Sequence, residues 1–320
     1  MARRDALDTT VTLGPIELPN PVIAASGTFG HGAELAGVCD PARLGAVTVK
    51  SQAVFAWPGN PPPRLHPTVG GMMNAVGLQG RGVEHWLEHD LDPLLAAGAR
   101  VVASIWGHSV DDYVAAARLV GPARDRLVAI ELNLSCPNQQ AGAAMFAHDA
   151  RSTGEVVAAV VDAVAGLPVL AKLSGGVADL VEISGAAVVG GAAGLTLINT
   201  VRAFAVDAAA RRPVLGSSGG GLSGPAIKPI ALRAVHDVHA AHPGVPIVGT
   251  GGVTTGVDAV EMLLAGASAV GVGTATFAEP RATLRILDEL DRWCRRHGVR
   301  AVRSLTGALG PIPAIQEGRA

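Results

Sequence analysis

Cysteine, aromatic residues and clustered charge are all scarce in this sequence. Its 320 residues include three cysteines, Cys39, Cys136 and Cys294, whose wide spacing fits neither a disulfide framework nor a Cys-x-x-Cys metal motif. The formal net charge is −2 and no basic run occurs, which argues against nucleic-acid binding. We therefore expect a protein of the reducing cytoplasm that carries no metal site.

Long uncharged stretches raise the question of membrane insertion, because the mean hydropathy of the chain is positive. The longest, residues 183–201, contains repeated glycines and divides more naturally into helix, turn and strand than into one spanning helix. No apolar stretch follows the two arginines at the amino end, so we predict no signal peptide and no membrane segment. Apolar strands covered on both faces by helices account for the hydropathy instead.

Short apolar runs alternate with longer amphipathic, alanine-rich runs along the chain. Strands alternating with helices predict βαβ units, and eight such units predict an α/β fold closed into an eightfold β/α (TIM) barrel. A doubly wound open sheet is the alternative, disfavoured because no Gly-x-Gly-x-x-Gly follows the first strand. The eight predicted strands are residues 21–27, 46–51, 100–107, 127–136, 168–174, 194–200, 246–252 and 269–276.

We expect residues 1–320 to form a single domain, with a small N-terminal hairpin at residues 11–20 against the base of the barrel. A typical barrel takes about 250 residues, so the remainder is expected in loop insertions at the C-terminal face. These insertions follow the second strand, Cys136 and the sixth strand, and the one after Cys136 is expected to act as a lid. Helices are predicted to start near Ser152 and Thr254, where a hydroxyl residue precedes an acid in the first turn.

Polar residues or glycines stand at the carboxyl end of every predicted strand, the edge at which such barrels hold their active sites. A buried lysine without a partner is costly, so Lys50 and Lys172 at one mouth imply an anionic ligand. Glycines at the last two strand ends, near Gly251 and Gly273, favour a phosphate there.

Together, a phosphate site, two lysines and a cysteine predict a flavin enzyme. Lys172 is expected beside the pyrimidine edge of the flavin, where it would stabilise the negative charge of the reduced form. Cys136 is interpreted as a general base, although a thiol has an ordinary pKa of about 8.5. The alternative, a small buried apolar cysteine, is the interpretation that we adopt for Cys39 and Cys294.

Six motifs resemble those of class 1 dihydroorotate dehydrogenases, most closely the class 1B catalytic subunit. They are NLSCPN, INT, GGLSGPAIKPIALR, GNPPPR, NAVGLQ and GTGGV, and the similarity covers about residues 10–310. The resemblance implies an FMN-dependent flavoprotein oxidoreductase that oxidises (S)-dihydroorotate to orotate in de novo pyrimidine (UMP) biosynthesis. Class 2 enzymes use a serine base and carry an amino-terminal membrane segment, so the cysteine disfavours class 2.

The resemblance also implies a role for particular residues. Cys136 matches the catalytic base, which takes a proton from ring carbon 5 while hydride leaves carbon 6 for the flavin. Ser104 stands where the family leads us to expect asparagine. Residues matching substrate contacts are Lys50, Asn74, Ala75, Val76, Gly77, Leu78, Asn133, Asn199 and Thr200. Residues matching FMN contacts are Ser26, Lys50, Ser51, Ser104, Asn133, Lys172, Ile198, Gly224, Gly251, Gly252, Gly273 and Thr274.

Electrons must leave the flavin, and the sequence shows no cysteine cluster for an iron–sulfur centre. The class 1B resemblance implies a homodimer, or a heterotetramer with a partner subunit that carries FAD and a [2Fe-2S] cluster and reduces NAD. Class 1A enzymes use fumarate instead. Two other functions stay open: a flavin oxidoreductase for dihydrouracil-type pyrimidines, and a catalytically idle flavin-binding subunit.

Overall fold

The structure, a computed structural model, describes residues 7–135, 146–164 and 166–310. Its strands are β1 (Val11–Leu13), β2 (Ile16–Leu18), β3 (Val22–Ala24), β4 (Ala46–Thr48), β5 (Leu65–Thr68), β6 (Gly71–Asn74), β7 (Val101–Ile105), β8 (Ala129–Asn133), β9 (Val169–Leu173), β10 (Gly194–Leu197), β11 (Val201–Ala203), β12 (Val206–Asp207), β13 (Arg212–Pro213), β14 (Gly220–Ser223), β15 (Ile247–Thr250) and β16 (Ala269–Val272). Its helices are α1 (Val83–His89), α2 (Leu91–Ala96), α3 (Val110–Val120), α4 (Ala150–Ala163), α5 (Leu180–Val189), α6 (Lys228–Ala241), α7 (Gly256–Ala265), α8 (Ala275–Ala278) and α9 (Ala282–Arg296).

Eight parallel strands close into a barrel in the order β3-β4-β7-β8-β9-β10-β15-β16, and β16 pairs with β3. The predicted barrel and all eight of its strands are therefore confirmed, and the open-sheet alternative is wrong. Each strand is shorter than its apolar run, because the last residues of the run already belong to the loop above the sheet. The sixth barrel strand, for example, ends at Leu197 rather than at Thr200.

Three neighbouring barrel strands are mostly apolar because both of their faces are covered. All residues of β7, β8 and β9 are buried, as parallel strands enclosed by helices require. The uncharged residues 183–201 divide between α5, a turn and β10, as expected from their glycines. In the three described ranges, no helix is both long and apolar enough to cross a membrane.

The predicted N-terminal hairpin is confirmed as the antiparallel pair β1 and β2. Its apolar side chains are buried in the main core, while Thr12 and Glu17 between them face outward. The turn contains Gly14 with a φ of +58°, and a Cβ there would lie 2.9 Å from the carbonyl oxygen of Ala193. Ala193 directly precedes β10, so the hairpin lies at the amino end of the barrel.

Two of the predicted insertions combine into one antiparallel sheet in the order β11-β14-β6-β5. Its central pairing places Asn74 opposite Gly221, two residues far apart in sequence. β6 leads directly into residues 75–78, and β14 leads into Gly224. The insertion sheet therefore positions two segments that the sequence predicted to contact ligands.

Helix starts follow local side-chain chemistry. α7 begins after Thr255, whose hydroxyl accepts from the backbone N–H of Asp258 in a reciprocal capping box, as the hydroxyl-and-acid pattern predicts. The predicted start of α4 near Ser152 is wrong by two residues. Asp149 caps this helix instead and accepts from the N–H of Ser152, so the helix begins at Ala150.

Cys39 and Cys294 are buried free thiols in the core, as interpreted from the sequence. Burial raises the pKa of both thiols, and that of Cys294 reaches about 11. Both side chains are therefore uncharged and inert at neutral pH.

An ion pair ties the start of α6 to the capped start of α7. The ammonium of Lys228 lies 2.6 Å from Asp258 and 2.7 Å from Glu261. Burial works against ionisation of Asp258, but hydrogen bonds from Lys228 and from Thr254 and Thr255 outweigh it and lower the pKa of Asp258 to about 2. The carboxylate is consequently stabilising above the ordinary aspartate pKa, and this contribution is lost as the pH falls toward 2.

We expect Asp258→Asn to lower the free energy of unfolding at pH 7 by about 1–2 kcal/mol, after allowance for solvent screening of the partly exposed lysine. The difference from the wild type should shrink as the pH is lowered from 4 toward 2, since the wild-type carboxylate then takes up its proton. Urea unfolding followed by circular dichroism at several pH values measures it. Asp162→Asn, at an exposed position of α4, is the matched control, and a difference for Asp258→Asn that does not change with pH would contradict the assignment.

Candidate active site

A cavity opens at the carboxyl end of the barrel, where the strand ends and the insertion sheet meet. Most of the residues predicted from the sequence to contact ligands line it together. They are Ser26, Lys50, Ser51, Asn74, Val76, Gly77, Leu78, Asn133, Lys172, Ile198, Asn199, Thr200, Gly224, Gly251, Gly252, Gly273 and Thr274.

Two predicted contacts, Ala75 and Ser104, do not line this cavity. Ala75 is fully buried beside Met73 and Leu215 in a small core under the insertion sheet. Ser104 lies behind Ser51, with 2.9 Å between their hydroxyl oxygens. Ser104 thus supports a lining residue rather than facing the ligand space itself.

The proposed base, Cys136, lies outside the described residues, as does the rest of segment 136–145, in which a lid was expected. The residues at both ends of that segment are described and well connected. Ala147 donates its backbone N–H to the carbonyl of Leu134 at 3.2 Å. The hydroxyl of Tyr113, the only tyrosine in the sequence, donates to the carbonyl of Asn133 at 2.8 Å, and its ring packs edge-on against Phe146. These contacts fix the chain on either side of the segment next to the cavity.

Hydrogen bonds connect the polar side chains across the floor of the cavity. The Asn133 amide donates to the hydroxyl of Ser51 at 3.0 Å. The Asn199 amide in turn donates to the Asn133 side-chain oxygen at 3.0 Å and to the hydroxyl of Ser135 at 3.1 Å. Ser135 donates to the carbonyl of Lys172 at 2.9 Å. Because each amide uses both its donor and its acceptor end, the orientation of these side chains is fixed before a ligand arrives.

The charged side chains of the cavity lining are lysines. Lys50 and Lys172 line the cavity, and no acidic side chain is among its described lining residues. The expectation that Lys172 lacks a protein partner is wrong. Its ammonium lies 3.6 Å from Glu131, a residue of β8 that is 3% exposed and was not singled out from the sequence. An acid in the middle of an otherwise apolar buried strand was the available signal, since such a charge needs a partner.

Glycines form the edge of the cavity after β15. Gly251 and Gly252 have φ angles of +132° and +73°, and a Cβ on Gly252 would lie 2.6 Å from the Cβ of Lys228. The hydroxyl oxygen of Thr250, buried at the same strand end and lining the cavity, has no hydrogen-bond partner in the described structure. Glycine backbone that a ligand can approach closely, together with a hydroxyl that lacks a partner, suits a ligand with a phosphate and polar ring atoms. These residues therefore fit FMN.

The loop carrying the GNPPPR motif holds the segment that follows β6. The indole N–H of Trp57 donates to the carbonyl of Gly77 at 3.0 Å. The Asn60 side chain donates to the carbonyl of Ala75 at 3.1 Å. Leu78 is held at a φ of +64°, a strained conformation for a residue with a side chain. The loop therefore sets the path of the chain through residues 75–78.

Several lining residues were not identified from the sequence. Most are apolar or small, and nothing in their local pattern separates them from ordinary loop residues. Leu65 and Phe277 are large apolar side chains that are more than half exposed. The set is Ala25, Gly27, Thr28, Leu65, Met72, Ser223, Ile227, Thr250, Val253, Thr254, Ala275 and Phe277.

A cavity lined by two lysines at the carboxyl edge of a closed eight-stranded barrel defines a β/α-barrel enzyme site. The family model for dihydroorotate dehydrogenase matches residues 8–293 of the sequence. The chain therefore belongs to the dihydroorotate dehydrogenase family.

Curated relatives are similar over nearly their whole length. A protein of Alkaliphilus metalliredigens is 44% identical over 299 residues, which cover 93% of this chain and 98% of the relative. A protein of Bacteroides thetaiotaomicron is 41% identical over 302 residues, covering 94% of this chain and 99% of the relative. Both relatives carry the name dihydroorotate dehydrogenase B (NAD(+)), catalytic subunit.

We expect Tyr113→Phe to lower the free energy of unfolding by about 1–2 kcal/mol, because the buried carbonyl of Asn133 loses its donor while ring packing is kept. Urea unfolding measures the change. Ser304→Ala, which removes an exposed hydroxyl that also donates to a carbonyl, is the control and should change stability by less than about 0.5 kcal/mol. Equal stability losses in the two variants would show that the buried Tyr113 hydrogen bond stabilises the protein no more than the exposed Ser304 bond does.

Proposed function

We propose that the protein is an FMN-dependent dihydroorotate dehydrogenase that oxidises (S)-dihydroorotate to orotate in pyrimidine biosynthesis. The family match carries this proposal. Further support comes from the cavity, which is lined by nearly all of the residues that match the family's FMN and substrate contacts. We propose that one barrel domain holds both cofactor and substrate.

FMN would accept the hydride of the reaction. The glycine edge at Gly251 and Gly252, with Gly273 and Thr274 after β16, would hold its phosphate through backbone N–H groups. Lys172 would lie near the ring and favour negative charge there. The spare hydroxyl of Thr250 would donate a further hydrogen bond to the cofactor.

The substrate is a planar ring that carries amide groups and a carboxylate. Asn133 and Asn199, already oriented by their mutual hydrogen bond, offer amide ends that can match ring N–H and C=O groups. Asn74 and the residues 76–78 close the opposite side of the cavity, and Lys50 supplies positive charge. Thr200, which follows Asn199 in the sequence, adds a hydroxyl to the cavity lining.

Cys136 is proposed as the general base that removes the proton from ring carbon 5. Its neighbour Ser135 is completely buried and bonded to both Asn199 and the carbonyl of Lys172. This attachment fixes the residue that directly precedes Cys136 in the sequence. A thiol base predicts that activity rises with pH through the ordinary thiol range near pH 8.5.

The relatives' names include NAD(+) and the words catalytic subunit, which supports a class 1B assignment. We propose that electrons pass from FMN to a separate subunit carrying FAD and a [2Fe-2S] cluster, and from there to NAD. We further propose a homodimeric catalytic unit, or a heterotetramer with that partner. The buried free thiols Cys39 and Cys294 are compatible with a reducing cytoplasm.

We expect anaerobic addition of dihydroorotate to bleach the visible flavin absorbance of the purified wild-type protein. In Cys136→Ala the flavin should stay bound, but bleaching should slow by at least about 100-fold, because general-base catalysis contributes on this order. Stopped-flow absorbance measures both rates. Cys39→Ala, at a buried thiol that is not among the described lining residues of the cavity, is the matched control and should bleach at the wild-type rate.

Each other outcome of this experiment excludes a specific assignment. Full activity in Cys136→Ala would end the assignment of the base. Yellow wild-type protein that dihydroorotate never bleaches would indicate an idle flavin-binding subunit. Bleaching by dihydrouracil but not by dihydroorotate would indicate an enzyme for pyrimidines without the carboxylate.

For the electron acceptor, we expect the chain purified alone to reduce dyes but not NAD. Co-expression with a ferredoxin-reductase-like subunit that carries FAD and a [2Fe-2S] cluster should restore dihydroorotate-dependent NAD reduction, followed at 340 nm. Sustained turnover of the lone chain with fumarate would contradict the class 1B assignment.

A further inference from the structure

A buried carboxylate lies directly behind one of the two cavity lysines. Glu131 belongs to β8, is 3% exposed and is not part of the cavity lining. One of its oxygens lies 3.6 Å from the ammonium of Lys172, which lines the cavity from the neighbouring strand β9. Any charge on Glu131 therefore acts on a ligand from behind Lys172 and without contact.

The orientation of this carboxylate is fixed by a third strand. The hydroxyl of Thr196 in β10 donates to the second oxygen of Glu131 at 2.9 Å. The oxygen that faces Lys172 has no hydrogen-bond partner in the described structure. Thr196 is also the cross-strand neighbour of Lys172, so the three side chains form one group spanning β8, β9 and β10.

The charges around the cavity give this group its significance. Lys50 and Lys172 line the cavity, and Glu131 places a carboxylate beside the Lys172 ammonium from outside the lining. A buried cation with no counter-charge is strongly unfavourable, and so is a buried carboxylate with none. Glu131 thus provides Lys172 with a counter-charge from behind the cavity wall, and it cancels part of the positive potential that a ligand experiences.

We propose that Glu131 is a positioning residue for Lys172 that lowers the reduction potential of the bound flavin. This inference rests on the proposed FMN site. Uptake of two electrons and one proton leaves a net negative charge on the flavin ring, which a nearby cation stabilises and a nearby carboxylate destabilises. A flavin with a lowered potential gives up its electrons more readily, as transfer to a further acceptor requires.

The test compares two substitutions that separate charge from shape. Glu131→Gln keeps size and hydrogen-bonding oxygen but removes the charge, whereas Glu131→Asp keeps the charge and shortens the side chain. We expect Glu131→Gln to favour reduced over oxidised FMN by about tenfold, a midpoint potential more positive by ~30 mV for this two-electron couple. Glu131→Asp should stay close to the wild type. Redox-dye equilibration of the holoprotein measures the potential.

Glu155→Gln is the control, because it removes one negative charge from the exposed face of α4. Its potential should equal that of the wild type. An unchanged or lowered potential in Glu131→Gln would overturn the proposal, and so would a larger change in Glu131→Asp than in Glu131→Gln, which would indicate packing alone.

A further variant keeps the test decisive if Glu131→Gln does not fold. Thr196→Val removes the hydroxyl dipole that offsets part of the carboxylate charge, and the potential should then become more negative. An unchanged or raised potential in that variant would contradict the proposal.

The outcome of this test is separable from that of the proposed function. If FMN binds but dihydroorotate does not reduce it, the potential shifts still test Glu131. Colourless wild-type protein that takes up no FMN would overturn both.

Discussion

Polar side chains are buried at the carboxyl edge of the barrel, and their hydrogen bonds to one another make that burial possible. A buried amide or hydroxyl without a partner costs about 1–3 kcal/mol. Asn133 and Asn199 avoid this cost by bonding to each other, and they extend the connection to Ser51 and Ser135. Asn133 ends β8, whereas Ser51 and Asn199 follow β4 and β10, so the connection forms only when these strand ends are correctly placed. The placement of the strand ends and the geometry of the site are thus linked by the same bonds.

The barrel was predictable from the sequence because parallel strands covered on both faces must be apolar along their length. Runs such as residues 168–174 carry that signature, followed by a polar or glycine end. Strand ends were less predictable. Leu197 is the last residue of β10 although the apolar-to-polar change comes at Asn199, since the loop geometry decides where pairing stops. The start of α4 also differs from the prediction, because Asp149 rather than Ser152 caps the helix.

Which side chain faces the ligand was only partly predictable. In extended chain, neighbouring residues point to opposite sides, so Asn74 lines the cavity while Ala75 faces a separate small core. Family motifs treat both as one segment and do not resolve this alternation. Ser104 and Glu131 show a second limit, since the sequence does not reveal how deep a polar residue lies below the barrel mouth. Their partners, Ser51 and Lys172, are far away along the chain.

The insertion sheet joins strands from distant parts of the chain, since Asn74 pairs opposite Gly221. Neither insertion can complete that sheet by itself, and four of the eight barrel strands lie between the two in sequence. The segment after Asn74 is therefore held by pairing with a second insertion, which follows the sixth barrel strand. A change in either insertion bears on the position of the other, and both border the space for the ligand.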